Sequence, residues 1–210
     1  MQFLLKHSFK LAVSALVVLM GIYLYLTYGG SSDGSQKLPV MYSAPDFTMT
    51  DAISGEDVKF SNSNGKVRLV YFYWANCPDV CPPTTQLMSQ VQDKLQADGK
   101  FGTDVEFYSI TFDPERDTPE AIKKYSEKFH ADYSGWKFLR GEEQSTAKLV
   151  TQFNDMFVVK DPETNEYAHL DLIVLVDREG NVRKYIEGNH DGTPTTADTI
   201  MKDIRSALKS

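Results

Sequence analysis

The sequence predicts an α/β fold, a mixed central sheet flanked by helices on both faces, preceded by one transmembrane helix. Three observations carry that prediction. Runs rich in β-branched and aromatic residues alternate with amphipathic helical segments over residues 41–210, Gly- and Asn-containing turns punctuate them, and an uncharged stretch near the N-terminus leads into a polar linker.

The uncharged stretch, residues 11–28, follows Lys6, His7 and Lys10 and precedes Gly29-Gly30-Ser31-Ser32-Asp33-Gly34-Ser35. As a helix it rises about 27 Å, close to the roughly 30 Å hydrocarbon core of a bilayer. Tyr23, Tyr25 and Tyr28 would sit near the outer interface, and the basic flank predicts a cytoplasmic N-terminus. A cleaved signal peptide shares this pattern, but no Ala-x-Ala site follows and Tyr28 is bulky, which favours an uncleaved anchor. A lipoprotein needs a cysteine just beyond the apolar run, and none precedes Cys77. The expected organisation is a cytoplasmic flank (1–10), an anchor (11–28), a flexible linker (29–40) and an extracytoplasmic domain (41–210), that is, a single-pass cell-membrane protein.

Within the domain, residues 41–51 and 58–60 around Gly55 read as short hairpin strands. Asn64-Gly65 turns the chain into residues 67–74, a run without polar alternation that suits a central buried strand. Leu87, Met88, Val91 and Leu95 have helical spacing, so a helix is expected over 84–97, closed by Asp98-Gly99. A second apolar strand spans 105–112. Thr118 is placed to cap a helix with Pro119 at its first position. A strand at 136–139, a helix over 145–153 with Ser145 as cap, a hairpin of 170–176 with 182–186, and a last helix from Thr196 to about Leu208 complete the chain. Met49 and Met156 read as core residues, and no Met-rich metal motif is present.

Cys77 and Cys81, the only cysteines in 210 residues, leave the C-terminal end of the first apolar strand. In open α/β sheets ligands gather at such ends. Soft sulfur ligands at this spacing suit metal binding or reversible thiol oxidation. A structural disulfide between such near neighbours would close a tiny loop and stabilise little. Pro78, Asp79, Pro82 and Pro83 around the pair predict a surface turn rather than a core position. The charge of Asp79 disfavours free thiolates, which suits a metal carrier better than a strong oxidant. Taken alone, His169 reads more readily as a surface or hydrogen-bonded residue than as a ligand. His7, His130 and His190 read as flank, helix end and exposed turn.

The chain carries 22 basic and 29 acidic residues. Setting aside Lys6 and Lys10 leaves 20 basic residues and a net charge of −9 beyond residue 28, which argues against nucleic acid as a partner. The segment Asp113-Pro114-Glu115-Arg116-Asp117 has two readings, a turn with an internally paired Arg116 and a loop near the cysteines that contacts a partner.

Ala44-Pro45-Asp46-Phe47, Gly65-Lys66-Val67 and the cysteine motif resemble exported thioredoxin-like proteins generally. Three ordered motifs narrow this: Cys77-Pro78-Asp79-Val80-Cys81-Pro82, the stretch from Ser109 to Thr118, and His169 ahead of a late strand. Together, over about residues 40–208, they resemble the SCO/SenC family, membrane-anchored thioredoxin-fold proteins that take part in assembling the copper centre of cytochrome c oxidase. The resemblance implies a thioredoxin-like three-layer fold with Cys77, Cys81 and His169 as ligands to copper, as Cu(I), Cu(II) or both. It implies cytochrome c oxidase subunit II as partner, through its dinuclear copper site, with another copper chaperone or a thiol reductant as further partners. A thiol-disulfide reductase acting through a redox-active Cys77/Cys81 pair, with Cys77 attacking, is the alternative. Two departures from general thioredoxins argue against broad oxidoreductase activity: the longer spacing between the cysteines, and Ala168-His169-Leu170-Asp171, which has no proline where those enzymes commonly have a cis one.

Overall fold

The computed structural model describes residues 2–24, 38–153, 157–188 and 195–209. Its chain divides into two compact units, Met1–Gln36 and Lys37–Ser210. The first holds a single helix, α1 (Gln2–Leu24). Its apolar part from residue 11 rises only about 21 Å, and residues 25–28 of the expected anchor lie outside the described residues. Among the described residues no helix is long and apolar enough to cross a membrane.

The second unit is the expected α/β domain. Its strands are β1 (Tyr42–Ser43), β2 (Thr48–Asp51), β3 (Asp57–Lys59), β4 (Val67–Tyr73), β5 (Val105–Thr111), β6 (Trp136–Arg140), β9 (Leu172–Val176) and β10 (Asn181–Glu187), in the sheet order β1-β10-β9-β4-β5-β6-β2-β3. The β4–β5 and β5–β6 pairs are parallel and the β4–β9 pair is antiparallel, so the sheet is mixed. Between β6 and β9 the chain forms β7 (Val158–Lys160) and β8 (Tyr167–His169), an antiparallel pair that makes a separate small sheet. The helices are α2 (Cys81–Ala97), α3 (Pro119–Glu127), α4 (Glu143–Gln152) and α5 (Ala197–Ala207).

Every residue of β4 is buried, as its unbroken apolar pattern requires of a strand covered on both faces. Successive side chains alternate between those faces. Tyr73 stacks on Tyr125 of α3, with ring centroids 5.2 Å apart, whereas Phe72 meets Phe153 at the end of α4, 5.6 Å away. Helices therefore cover both faces.

Most boundaries match the sequence expectation, including the Thr118 cap, whose side chain accepts from the Ala121 N–H at 3.3 Å. Met49 is buried as expected, and Met156 lies outside the described residues. Three differences matter. The hairpin β7–β8 had no signal beyond a polar, Pro-containing stretch. Helix α4 begins at Glu143 with Glu142 in the cap position, ahead of the expected Ser145. Helix α2 begins at Cys81 itself, three residues before the expected start. Pro82 and Pro83 occupy its first turn, where backbone N–H groups have no intrahelical partner and proline costs nothing. The Pro-rich surface turn is present at residues 75–80, but Pro82 and Pro83 belong to the helix N-terminus that follows it.

Candidate metal centre

Cys77 lies in the connection that leaves β4, and Cys81 opens the first turn of α2. Trp74 to Val80 form the connection, closed at its start by the Cys77 N–H donating to the Trp74 carbonyl (3.2 Å). Cys81 is fully buried and Cys77 is 8% exposed. The connection is a surface turn as expected, exposed at Asn76, Pro78 and Asp79, but the expectation that the cysteines themselves avoid core positions is corrected: both are buried. Access is through Cys77, which lines a shallow cavity of about 320 Å³ shared with Trp74, Val80, Phe157, Tyr167 and His169.

His169 ends β8 rather than preceding a strand directly, and it reaches the pair. Its Nε2 lies 3.8 Å from Cys81 Sγ. Its Nδ1 lies 3.1 Å from the Leu170 carbonyl. A carbonyl only accepts, so this bond holds a proton on Nδ1; in the neutral ring Nε2 then faces the sulfurs as a lone pair, and in the doubly protonated ring it donates to them. The ring also packs on Phe112, centroid to centroid 5.0 Å. The ligand atoms of Cys77, Cys81 and His169 all lie within 4.8 Å of one another. An ion about 2.3 Å from each sulfur bridges ligands up to about 4.6 Å apart, so small side-chain rotations bring all three to one metal. Two sulfurs and an imidazole suit copper or zinc, not hard cations.

The two thiols differ. The Cys81 thiol donates toward the Cys77 sulfur, and this pulls Cys77 down to about 4 against the opposing effect of burial, with His169 and the backbone N–H groups of Asp79 and Cys81 adding to it. Cys81 is pushed far up, first by holding the proton it shares with Cys77 and then by burial. The first proton leaves Cys77. The Asp79 backbone N–H supports that thiolate, beside the opposing effect expected of its charge.

A surrounding shell holds the ligands, and sequence reasoning missed most of it. Asp171 accepts from the Tyr71 hydroxyl and from Thr84 Oγ1, both at 2.8 Å, tying the segment after His169 to β4 and α2. The Gly188 N–H donates to the Asp171 carbonyl, also at 2.8 Å. Asp117 accepts from the Ala75 N–H at 2.9 Å and from Thr111, and burial lifts its carboxyl to about 6. Both readings of the 113–117 segment thus describe part of it: Arg116 pairs with Asp113, and the loop touches the cysteine connection. The motif was visible in sequence, but its contacts were not. Asp171, by contrast, carried only one signal, its place two residues beyond His169. His130 adopts a left-handed turn after α3 and is not part of the group, His7 belongs to the other unit, and His190 lies outside the described residues.

A family model described as SCO1/SenC matches residues 37–209. The SCO1 protein homolog of Bacillus subtilis is 32% identical over 188 residues, covering 89% of this chain and 92% of that protein. Among solved structures, BsSco, described as a member of the Sco family of cytochrome c oxidase assembly proteins with a disulfide switch, superposes with a TM-score of 0.69 at 31% identity, over 83% of this chain and 98% of that one. Copper-bound ScoI of Bradyrhizobium japonicum superposes with a TM-score of 0.64 at 28% identity, over 79% of this chain and 99% of that one. With both its fold and its motif-bearing segment matched end to end, this chain belongs to the SCO1/SenC family.

Proposed function

We propose that this protein is a copper-binding assembly factor that delivers copper to, or prepares the cysteines of, the dinuclear copper site of cytochrome c oxidase subunit II. The observation that carries the reading is the convergence of Cys77, Cys81 and His169. Copper is cargo here. Cys77 and Cys81 supply thiolates that favour Cu(I), His169 Nε2 extends the set to tolerate Cu(II), and the cavity at Cys77 lets a partner's sulfur approach for ligand exchange. Because the thiols must be deprotonated and the imidazole neutral, affinity falls as pH drops.

The N-terminal segment is proposed to anchor the domain on the extracytoplasmic face. Leu16, Val17, Val18 and Leu19 of α1 are all exposed in its own unit, as a helix meant for lipid requires.

A second reading, thiol-disulfide reduction of the same partner, draws on the unequal thiols. The Cys77 thiolate attacks a disulfide of the target, breaking its S–S bond, releasing one target thiolate and forming a mixed disulfide. Cys81, deprotonated, then attacks Cys77, freeing the second target thiolate and leaving a Cys77–Cys81 disulfide that an external dithiol must reduce. That disulfide also removes both thiolates from copper, so the pair's redox state governs loading.

The test is His169→Ala in the reduced domain. Copper affinity should fall while the 77/81 disulfide still forms; equal affinity with and without the imidazole would remove His169 from the ligand set. Oxidase assembly in a deletion strain separates the two readings: rescue by added copper alone supports delivery, rescue by reductant alone supports thiol reduction.

A further inference from the structure

The candidate site is built from two sheets that share no ladder among the described residues. The cysteines belong to the main sheet through β4, and His169 ends the separate β7–β8 hairpin. After His169, Asp171 ties the chain to Tyr71 and Thr84. Before it, something other than backbone pairing must set where the hairpin sits.

Arg116 occupies that junction. Its guanidinium lies over the Trp74 ring, 4.6 Å from the centroid, and over the Tyr167 ring at 5.7 Å. Trp74 starts the cysteine connection. Tyr167 is two residues before His169 and shares its face of β8. Arg116 also donates to the carbonyl of Asn165 in the hairpin turn and pairs with the buried carboxylate of Asp113. Asn165 has φ +56°, the left-handed conformation that asparagine tolerates. Tyr167 itself rests edge-on against Trp74 (5.5 Å) and tilted on Phe112 (4.9 Å), the ring that also supports His169. Among the described residues the Trp74 Nε1 has no hydrogen-bond partner, and its ring meets Arg116 and Tyr167 by face and edge.

We infer that Arg116 is a positioning residue of the metal site: it staples the β7–β8 hairpin to the cysteine connection and so holds His169 within reach of the two sulfurs. The inference rests on the proposed ligand set for its functional meaning, but the mechanical part stands alone. A planar guanidinium can stack on two rings while its N–H groups bond a carboxylate and a carbonyl; an ammonium cannot.

The experiment uses the full chain in detergent with Arg116→Lys and Arg116→Gln, and His169→Ala as reference. Hydrogen exchange of the metal-free, reduced protein should quicken at residues 158–169 by roughly tenfold, the factor a cation–π contact between the exposed and the desolvated limits is worth. Exchange in β4 should not change. In the Cu(II) form, the nitrogen hyperfine coupling lost in His169→Ala should be weakened in both Arg116 variants. Unchanged hairpin exchange in a folded variant overturns the inference. So does acceleration throughout the domain, or unfolding of both variants, since either makes Arg116 a residue of global stability. If His169→Ala leaves the Cu(II) spectrum intact, the ligand set fails, and the exchange data still decide whether Arg116 is the staple.

Discussion

The two halves of the candidate site are built differently. The dithiol half grows from β4, the most completely buried strand, flanked by β5 and β9 in continuous ladders, and from the first turn of a 17-residue helix. The imidazole half stands on two three-residue strands held to the rest by side chains: aromatic contacts, Arg116, Asp171, the Tyr167 hydroxyl on Asp113 and Glu143, and Lys160 paired with Glu115 and Glu143. Backbone ladders hold the first half in place, and side-chain contacts hold the second. The candidate sulfurs thus sit on the laddered half, and the candidate imidazole on the half that side chains locate.

The sharpest way to break the comparison is to delete from each half in turn. Cys77→Ser and Cys81→Ser should each cost more copper affinity than the roughly 10–100-fold typical of supporting residues, and more than His169→Ala, by competition with a chelator of known strength. Equal losses at all three positions would erase the distinction between the halves.

Within the dithiol half the two sulfurs should part company under alkylation. With Cys77 ionising near 4, iodoacetamide should modify Cys77 first, at a rate flat between about pH 6 and 8. An ordinary thiol would instead speed up about tenfold per pH unit in that range. Peptide mass mapping at short reaction times reads both the site and the slope.

The seam between the halves is tested by Gly188→Ala. A Cβ there would lie 1.9 Å from Asp171 Oδ2 and 2.4 Å from Thr84 Oγ1. The Asp171 carboxylate must move, at an expected cost of about 2–3 kcal/mol in chemical denaturation, together with weaker copper binding. Loss of stability without any change in binding would show that Asp171 does not orient His169.

The smallest effect is a pH dependence beneath the cysteine connection. Burial raises Asp117 to about 6, so the folded protein holds that proton more tightly than the unfolded chain does. The resulting stabilisation is present at low pH and is lost as pH rises from about 4 to about 6. Asp117→Asn keeps an acceptor for Ala75 and Thr111 and should remove this fall, leaving the variant more stable at pH 7 by on the order of 2 kcal/mol. Thermal midpoints across that pH range, in wild type and variant, provide the check.

Legibility in the sequence followed range of interaction. The buried β4, the Thr118 cap and the hairpin between β9 and β10 were readable because each rests on a local pattern or a turn residue. Helix α2 was misplaced by three residues because prolines serve equally in turns and in first helical turns, and only packing against β4 decides between them. The hairpin β7–β8 escaped because three-residue strands carry too few residues for alternation to register. Arg116 was visible as a charge between acids, but its place over Trp74 depends on rings far apart in the chain.

By itself the sequence determined the fold class, the family resemblance and which side chains offer sulfur and nitrogen, because those depend on residue identity and short-range pattern. Only the tertiary structure decided that both thiols are buried, that their contact pulls Cys77 down and pushes Cys81 up, and that His169 reaches them from a separate sheet. Each of these depends on distances across the fold, since burial, a shared proton and a ligand triangle arise between residues that the chain order keeps apart.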